Sequence, residues 1–300
     1  MTGAAAWQRR AVIGNRHMSM RRLLFRLAPL CAAVLAGTTS IGAAQMPSTQ
    51  SPTGELVART ELRVCADPND LPFSDEKGEG FENKIAEVMG KELSLPVRYT
   101  WFPQVVGFVR NTLRANRCDL VMGTVAGDDI MQTTTPYYYT SYVLAYRSDA
   151  GWSFTDFNDP KLKSLHFGVV AGTPPADLLV RHDLMAHARP YALQVDTRFE
   201  SPVHQMLTDI VNKEIDAGLL WGPIAGYYIR KGGMPLKMVL LQNEQGAPRM
   251  AYHIAMGVRN NEPEWRRRIN TAINRHRDDI TAILRDYGVP LLDEQGQAQP

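Results

Sequence analysis

The chain has 300 residues, with 33 basic and 31 acidic side chains and a formal charge of +2. This length suits one large or two medium-sized domains. The near balance of charge excludes a strongly basic nucleic-acid-binding protein.

The first 44 residues are predicted to be a secretory signal peptide. Six arginines and no acidic residue precede or border the apolar run LAPLCAAVLAG, and small residues follow as far as Ala44. A basic segment, a short apolar segment and a small-residue cleavage site are typical of signal peptides. A membrane anchor is the alternative, but roughly 15 apolar residues are too few to span a bilayer comfortably. We therefore expect a periplasmic protein that is not stably inserted in the membrane.

Cleavage of this segment changes both the charge and the cysteine count. It leaves 27 basic against 31 acidic residues, a formal charge of −4, so a nucleic-acid partner is not expected. Cys31 leaves with the signal, and Cys65 and Cys118 remain as a pair in an oxidising compartment. Each lies on or beside a predicted strand, and these strands are expected to be neighbours. We predict a disulfide, with two buried thiols as the alternative.

The polar segment 45–60 is predicted to be a flexible linker. The next stretch, LRVCADPNDLPFSDEKGEGFENKIA, predicts a strand, a loop, a Gly-x-Gly turn and a helix over 82–93. Its loop follows the carboxyl end of the strand, where open α/β sheets usually bind ligands. This segment therefore indicates a binding cleft.

The following elements alternate between strand and helix, which predicts an α/β fold with mostly parallel sheets. Strands are predicted at 97–101 and 119–123, with a helix at 106–115 between them. The pattern restarts at 165–170, which predicts a second unit. A strand over 252–259 is placed to return to the first unit, and Asn261 is expected to cap the helix that follows. We predict lobe 1 from 61–145 plus 252–295 and lobe 2 from 146–251, joined by two hinge crossings.

No motif indicates catalysis or a cofactor. Gly78-x-Gly80 lacks the third glycine of a dinucleotide fingerprint and is interpreted as a turn. The histidines lack the spacing of metal ligands, so no metal site is expected. The acidic pairs Asp128-Asp129 and Asp278-Asp279 are interpreted as helix-end or solvated groups. We predict a non-enzymatic protein without a cofactor.

Aromatic and polar side chains near the predicted strand ends are the candidates for the cleft. Tyrosines of the run at 137–146 divide between the core and the cleft, because successive strand residues face opposite sides. Trp221 is expected to face the cleft, since a Gly-Pro turn follows it. The helix starts at 80–82 and 173–174 are expected to direct N–H groups there. The candidates are Asp67, Asn69, Phe73, Glu82, Trp101, Thr124, Tyr137, Tyr142, Thr173 and Trp221.

Over residues 61–290 the chain resembles periplasmic solute-binding proteins of the polar amino-acid type. The resemblance rests on the ordered motifs LRVCAD, GFENKIAE, CDLVMGT, TPYYYTSYVL, GVVAGTPPAD and EIDAGLLWGPIAGYY. It implies a type II binding-protein fold whose two lobes close on a small solute and deliver it to a transporter.

Two positions depart from the amino-acid receptors of this family. In typical members an arginine binds the ligand carboxylate, and the position of this arginine falls near Asp128 in this chain. Where they carry the aspartate that binds the ligand ammonium, it has Trp221. Loss of both charged contacts predicts poor binding of a zwitterionic amino acid.

These departures, with TWFPQ, WGPIAGYY and the YGVP ending, resemble the J-type accessory subgroup of bacterial methanol-oxidation clusters. The lanthanide-associated branch is the more similar. The resemblance implies a periplasmic factor that binds or helps to activate a quinoprotein (PQQ) methanol dehydrogenase. The alternatives are an ABC-transporter receptor for a solute that is not a standard amino acid and an enzyme on the same scaffold, for which the sequence offers no acid–base pair.

Overall fold

The computed structural model describes residues 58–299 of the chain, in which it has twelve β-strands and seven α-helices. The signal peptide and residues 45–57 of the predicted linker lie outside this range. The strands are β1 (Leu62–Ala66), β2 (Asn69–Asp70), β3 (Ser74–Asp75), β4 (Val97–Trp101), β5 (Leu120–Val125), β6 (Gln132–Thr133), β7 (Tyr138–Arg147), β8 (Phe167–Val170), β9 (Ala188–Tyr191), β10 (Ala217–Trp221), β11 (Leu236–Leu240) and β12 (Ala251–Val258). The helices are α1 (Phe81–Leu93), α2 (Phe108–Asn111), α3 (Pro174–Arg181), α4 (Pro202–Val211), α5 (Gly222–Arg230), α6 (Pro263–Arg275) and α7 (Arg277–Asp286).

The strands form a mixed sheet with parallel pairs towards both edges. The order is β4-β1-β5-β12-β7-β10-β8-β9, with β6 beside β12 and β11 beside β7. We call β4, β1, β5 and β12 the first half-sheet, and β10, β8 and β9 the second half-sheet. Parallel pairing joins β4, β1 and β5, and also joins β10, β8 and β9, whereas β7 and β12 run antiparallel to their neighbours. This α/β architecture confirms the predicted fold class.

Strand β7 links the two half-sheets because it changes partners along its length. Its residues 138–141 pair with β12, and residues 142–147 pair with β10 and β11. Ser141 stands at this change and is buried, and its hydroxyl lies 3.1 Å from the Leu241 carbonyl and 3.0 Å from the Met250 carbonyl. Those carbonyls flank the second connection between the half-sheets. We keep the lobe boundaries at 145/146 and 251/252 as a proposal.

Separate apolar cores cover the two half-sheets. Helices α1, α6 and α7 bury Ile85, Ile269 and Leu284 on the first half-sheet. Two further clusters lie on the second half-sheet, one around Leu178 of α3 and one around Ile210 of α4. Burial of each apolar face stabilises the helices that carry it.

Cys65 and Cys118 form the predicted disulfide, with their Cα atoms 5.4 Å apart. The pairing is confirmed. Parallel pairing of β1 with β5 brings the two cysteines together, and Phe108, Leu113 and Met131 cover them.

An ionic network, which we call the arginine cluster, closes the amino end of β5. Asp119 is buried and its carboxylate binds the guanidinium groups of Arg63 and Arg259. Glu262 also binds Arg259, at 2.7 Å, and its other oxygen lies 3.0 Å from Arg59. Arg59 packs over the Trp265 ring, so the folded part includes a residue that the sequence assigned to the linker.

Two local predictions are corrected by the structure. The helix expected over 106–115 is regular only in α2, because Thr112 adopts φ −118° and ψ −82° and its hydroxyl donates to the Phe108 carbonyl. The residue that caps α6 is Glu262 rather than Asn261, with Pro263 in the first helical position.

Candidate functional site

A cavity of about 510 Å³ opens at the carboxyl ends of both groups of parallel strands. Loops after β1 and β4 form its wall on the first half-sheet. The ends of β8 and β10 and the segment 192–203 form the opposite wall. This position agrees with the rule that ligands bind beyond the carboxyl ends of strands in α/β folds. The cavity is lined by Asn69, Asp70, Leu71, Phe73, Gln104, Tyr142, Val170, Thr173, Ala192, Leu193, Gln194, Val195, Thr197, Glu200, Ser201, Pro202, Val203, Trp221, Ile224 and Tyr228.

Asp67 holds the two walls together from a buried position at the end of β1. One carboxylate oxygen accepts from the Asn69 N–H at 2.9 Å and from the Thr197 hydroxyl at 2.6 Å. The other accepts from the Gln104 N–H at 2.6 Å. The Asn69 side chain also donates to the Thr197 carbonyl at 2.7 Å. We call these contacts of Asp67 and Asn69 with Thr197 the latch, since they join the 192–203 segment to the first half-sheet.

The cavity wall contains acidic but no basic side chains among the residues that the structure describes. Asp70 and Glu200 are its charged members. Glu82, in the first turn of α1, lies close to Asp70 and places its carboxylate against Gly123 of β5. Within residues 58–299 neither the Asp70 nor the Glu82 carboxyl group has a hydrogen-bond or ion-pair partner. We call Asp70 and Glu82 the acidic floor.

Burial and like charge raise the pKa values of the acidic floor. Burial, with the nearby charge of Asp67, raises the pKa of Asp70 to about 7. Burial, with the charge of Asp70, raises the pKa of Glu82 to about 8. These carboxyl groups therefore change ionisation near neutral pH, which is the behaviour expected of groups at functional sites.

Aromatic rings line the opposite part of the cavity. Trp221 ends β10, is partly exposed, and packs edge to face against Tyr142 with ring centroids 4.9 Å apart. Tyr252 lies behind this pair, 6.2 Å from the Trp221 ring. Burial raises the pKa of Tyr142 to about 12, so its hydroxyl stays protonated at neutral pH. The pair offers a flat apolar surface with a hydrogen-bonding group at its edge.

Five of the ten sequence-based candidates lie on the cavity wall, namely Asn69, Phe73, Tyr142, Thr173 and Trp221. Asp67 and Glu82 support the wall from behind.

The other three candidates lie elsewhere. Tyr137 is 3 % exposed and donates from its hydroxyl to the Met122 carbonyl in the core. Trp101 stacks on Tyr99, with centroids 4.6 Å apart. Thr124 donates to Asp128 at 3.1 Å.

The expectation that helix N-termini direct N–H groups into the cleft is wrong. The N–H groups of Phe81 and Glu82 donate to the carbonyls of Pro72 and Phe73. Helix α3 begins with two prolines, which have no N–H to offer. Gly80 is required for the first of these arrangements, since a Cβ there would overlap the Phe73 carbonyl.

Asp128, which aligns near the family's carboxylate-binding arginine, belongs to a turn after β5 and not to the cavity wall. Its two carboxylate oxygens accept from the Thr124 hydroxyl and, at 2.6 Å, from the Ile130 N–H. The position therefore supplies neither a cation nor a charge to the cavity.

Several wall residues were missed by the sequence analysis. Asp70 lay inside the informative opening stretch, and a charged residue between turn-forming residues was the signal that could have selected it. Tyr228 lies two turns after Trp221 on an apolar helix and was indistinguishable from a core residue. The segment 192–203 has no periodicity that places it, because its position depends on the distant Asp67.

Neither a metal site nor a membrane span is present in residues 58–299. No group of three or more His, Cys, Asp or Glu side chains there has the geometry to hold a metal ion. None of the helices in that range combines the length and apolar character needed to cross a bilayer.

Comparison with known families identifies one match that covers most of the fold. The model for bacterial extracellular solute-binding proteins of family 3 matches residues 62–289. This range runs from β1 to the end of the α7 region and includes every element that lines the cavity.

Individual relatives are similar over nearly their whole length. A solved structure of the periplasmic binding protein XoxJ from Methylobacterium extorquens AM1 is 39 % identical with a TM-score of 0.67, covering 78 % of this chain and 100 % of that one. A structure of MxaJ from Methlophaga aminisulfidivorans MPT is 28 % identical with a TM-score of 0.68, covering 77 % and 100 %. Protein MoxJ of Paracoccus denitrificans is 28 % identical over 251 residues, which are 79 % of this chain and 91 % of that protein. These relatives confirm the predicted resemblance to the J-type subgroup.

Proposed function

The chain belongs to the bacterial extracellular solute-binding proteins of family 3, and we propose that it is a non-catalytic periplasmic accessory protein of methanol oxidation. In this role it binds a quinoprotein methanol dehydrogenase, or a segment of it, and assists its activation. The relatives named XoxJ, MxaJ and MoxJ support the link to methanol oxidation.

The composition of the cavity wall carries the proposal. A receptor for free amino acids needs a cation to bind the ligand carboxylate, and bidentate arginine contacts are the strongest means of doing so. The wall contains no Lys, Arg or His among the described residues. The fold of a solute receptor is therefore retained while the charge needed for amino-acid capture is missing, which favours another kind of occupant.

Exposed apolar side chains on the two segments that contact Asp67 support a macromolecular partner. Val106 is 78 % exposed and Phe199 is 79 % exposed. Each lies two residues along the chain from a group bound to Asp67, namely Gln104 and Thr197. The two side chains therefore belong to the two segments that contact Asp67. Large apolar groups next to a binding cleft are typical of surfaces that contact another protein.

Calorimetric titration of the signal-free protein with its folded cognate methanol dehydrogenase tests this proposal. We expect saturable binding that weakens about tenfold in a Val106→Ser, Phe199→Ser double variant. Val180→Ser is the matched control, because Val180 is 58 % exposed on the outer part of α3. Absence of binding between two folded proteins would reject the accessory role.

A second candidate function is a transport receptor for a solute that is not a standard amino acid. The size of the cavity, about 510 Å³, favours it, since pockets for small ligands fall in this range. Native mass spectrometry of protein isolated from the periplasm would then detect one retained metabolite per chain. A ligand-free spectrum together with dehydrogenase binding supports the accessory role instead.

A further inference from the structure

Asp70 lines the cavity and Glu82 lies behind its wall, and within residues 58–299 no basic side chain lines the cavity to compensate their charge. The basic side chain close to the latch is Arg198, and its guanidinium binds Asp196 at 2.6 and 2.8 Å. Arg189 of β9, just before the 192–203 segment, binds Asp209 and Glu214. Both guanidinium groups therefore bind carboxylates that do not line the cavity.

The three carboxyl groups around β1 and α1 differ in their contacts. Asp67 accepts three hydrogen bonds, from the N–H groups of Asn69 and Gln104 and from the Thr197 hydroxyl of the latch. Asp70 and Glu82 have no partner within the described part of the chain. A partly buried carboxyl group without a partner costs folding free energy, and a ligand that compensates it recovers this cost.

Besides the carboxyl groups, the cavity has aromatic side chains, which also attract organic cations. Phe73, Tyr142, Trp221 and Tyr228 share the cavity with Asp70. Aromatic faces attract ammonium and guanidinium groups through the ring quadrupole, with tryptophan the strongest. A cavity with carboxyl groups, aromatic faces and no basic side chain suits an organic cation and disfavours carboxylates and phosphates.

We propose that the occupant of this cavity presents an organic cation, a primary ammonium or a guanidinium group, to Asp70 and the aromatic wall. The proposal rests on the cleft being the binding site of the proposed function. The cation has two sources that share this chemistry, a lysine or arginine side chain of the partner protein and a free organic amine.

The ionisation of the floor gives the proposal a pH signature. The groups that face Asp70 and Glu82 are the carboxylate of Asp67 and the hydroxyls of Tyr99, Tyr137, Tyr138 and Tyr228, and Arg198 lies near Asp67. The pKa values of about 7 for Asp70 and about 8 for Glu82 place their titration near neutral pH. Cation affinity therefore increases as the pH rises from 6 to 9, because each carboxyl loses its proton in that interval.

Titration with small blocked probes tests the inference directly. The probes are N-acetyl-lysine amide and N-acetyl-arginine amide, with N-acetyl-norleucine amide as the neutral analogue and n-butylammonium as the free amine. We expect at least one cationic probe to bind about tenfold more tightly than the norleucine analogue. Preference for n-butylammonium over both blocked residues indicates a free amine, and the reverse indicates a side chain of the partner.

Substitutions assign the effect to the floor. Asp70→Asn, alone and with Glu82→Gln, should weaken the cationic probe about tenfold and remove the dependence on pH. Asp129→Asn is the matched control, since it removes one negative charge from an exposed position outside the cavity. Equal binding of cationic and neutral probes, absence of probe binding, or an unchanged affinity in Asp70→Asn would each overturn the proposal.

The test separates this inference from the accessory role. Dehydrogenase binding that is unaffected by Asp70→Asn would reject the cation and leave the accessory role standing. Asp70-dependent binding of the amine without dehydrogenase binding would reject the accessory role and leave the cation site standing.

Discussion

The two ends of β5 hold carboxyl groups in opposite circumstances. At the amino end, Asp119 is 1 % exposed and binds two guanidinium groups. Burial would raise the pKa of Asp119, but Arg63 and Arg259 outweigh it and hold the pKa below its ordinary value. Near the carboxyl end, the acidic floor has no partner among residues 58–299, and its pKa values rise to about 7 and about 8.

Asp119 is thus a carboxylate paired within the fold, whereas the carboxyl groups of the acidic floor are available to a ligand. A buried carboxylate that is matched by arginines of the same chain is compensated within the fold, and removal of one partner leaves an uncompensated charge that is strongly destabilising. Carboxyl groups left unmatched in a cavity reduce stability, and proteins retain such groups mainly where they contact a ligand. The following changes test whether the two ends really differ in this way.

Asp119→Asn should have the largest effect on stability. The change removes the carboxylate that binds Arg63 and leaves Arg259 with Glu262 alone, and breaking a buried ion pair in this way costs about 3–5 kcal/mol. Urea unfolding at pH 7 measures the loss. Asp129→Asn, at an exposed position, should change the free energy of unfolding by less than about 0.5 kcal/mol. A similar small effect for Asp119→Asn would remove the contrast between the two ends.

The raised pKa values of the acidic floor should make the free energy of unfolding fall as the pH rises, which is the opposite of the effect of the lowered pKa of Asp119. Because the folded state raises the pKa of Asp70 and Glu82, their contribution to stability is greatest below about pH 4 and is lost as the pH rises through 7 and 8. An Asp70→Asn, Glu82→Gln variant should therefore be more stable than the wild type at pH 9, by an amount on the order of 1–3 kcal/mol.

Urea unfolding of both proteins at pH 5.5 and pH 9 measures this difference. The wild type should lose stability between the two values relative to the variant. A difference that is the same at both pH values would show that the floor carboxyls are not held in a raised-pKa state.

Trp265 of α6, beside the arginine cluster, and Trp221, at the end of β10, provide a further comparison. Trp265 is 1 % exposed and donates to the Asp119 carbonyl at 3.0 Å, so Trp265→Ala should cost about 3–5 kcal/mol. Trp221 lines the cavity and keeps part of its ring exposed, so Trp221→Ala should cost only about 1–2 kcal/mol.

Thermal unfolding and ligand titration of the two tryptophan variants separate packing from binding. Trp221→Ala should weaken the cationic probe while most of the stability remains. A loss of stability as large as that of Trp265→Ala would place Trp221 in the core and contradict its assignment to the cavity.

Regular elements and the fold class followed from the sequence because their signals are local. The strand at 97–101 and the helix ending at Leu93 are where the apolar periodicity indicated. The disulfide was also predictable, since Cys65 lies on β1 and Cys118 lies just before β5, the strand that pairs with β1. The helix predicted over 106–115 was too long, because the Thr112 hydroxyl donates to the Phe108 carbonyl where α2 ends.

The site was only half predictable because its walls meet through distant residues. Trp221 and Phe73 follow strand ends and could be placed from the alternation of elements. Tyr137 and Trp101 also lie near strand ends, but their orientation depends on partners such as Met122 and Tyr99 that no local pattern reveals. The acidic floor depends on the absence of nearby cations, which is a property of the folded arrangement.

A change in the latch should have the smallest of the expected effects. It tests whether the cavity end of the sheet can open while the end at Asp119 stays closed. Thr197→Val removes the hydroxyl that donates to Asp67 and keeps the shape of the side chain, while the contact of Asn69 with the Thr197 carbonyl remains. Loss of one such hydrogen bond costs about 1 kcal/mol, so amide exchange in the segment 192–203 should rise about fivefold. Exchange near Asp119 should not change, because the arginine cluster lies at the other end of β5.

Thr197→Ser is the matched control for the latch, since it keeps the hydroxyl and should retain slow exchange. Mass spectrometry of hydrogen exchange resolves the two regions within one experiment. If the valine variant exchanges at the wild-type rate in 192–203, the Asp67–Thr197 bond does not hold the walls together, and the closure of the cavity must rest on Asn69 alone. A faster rate that spreads to the Asp119 region would instead mean that both ends of the sheet open as one unit, so the cavity could not open independently of the structural end.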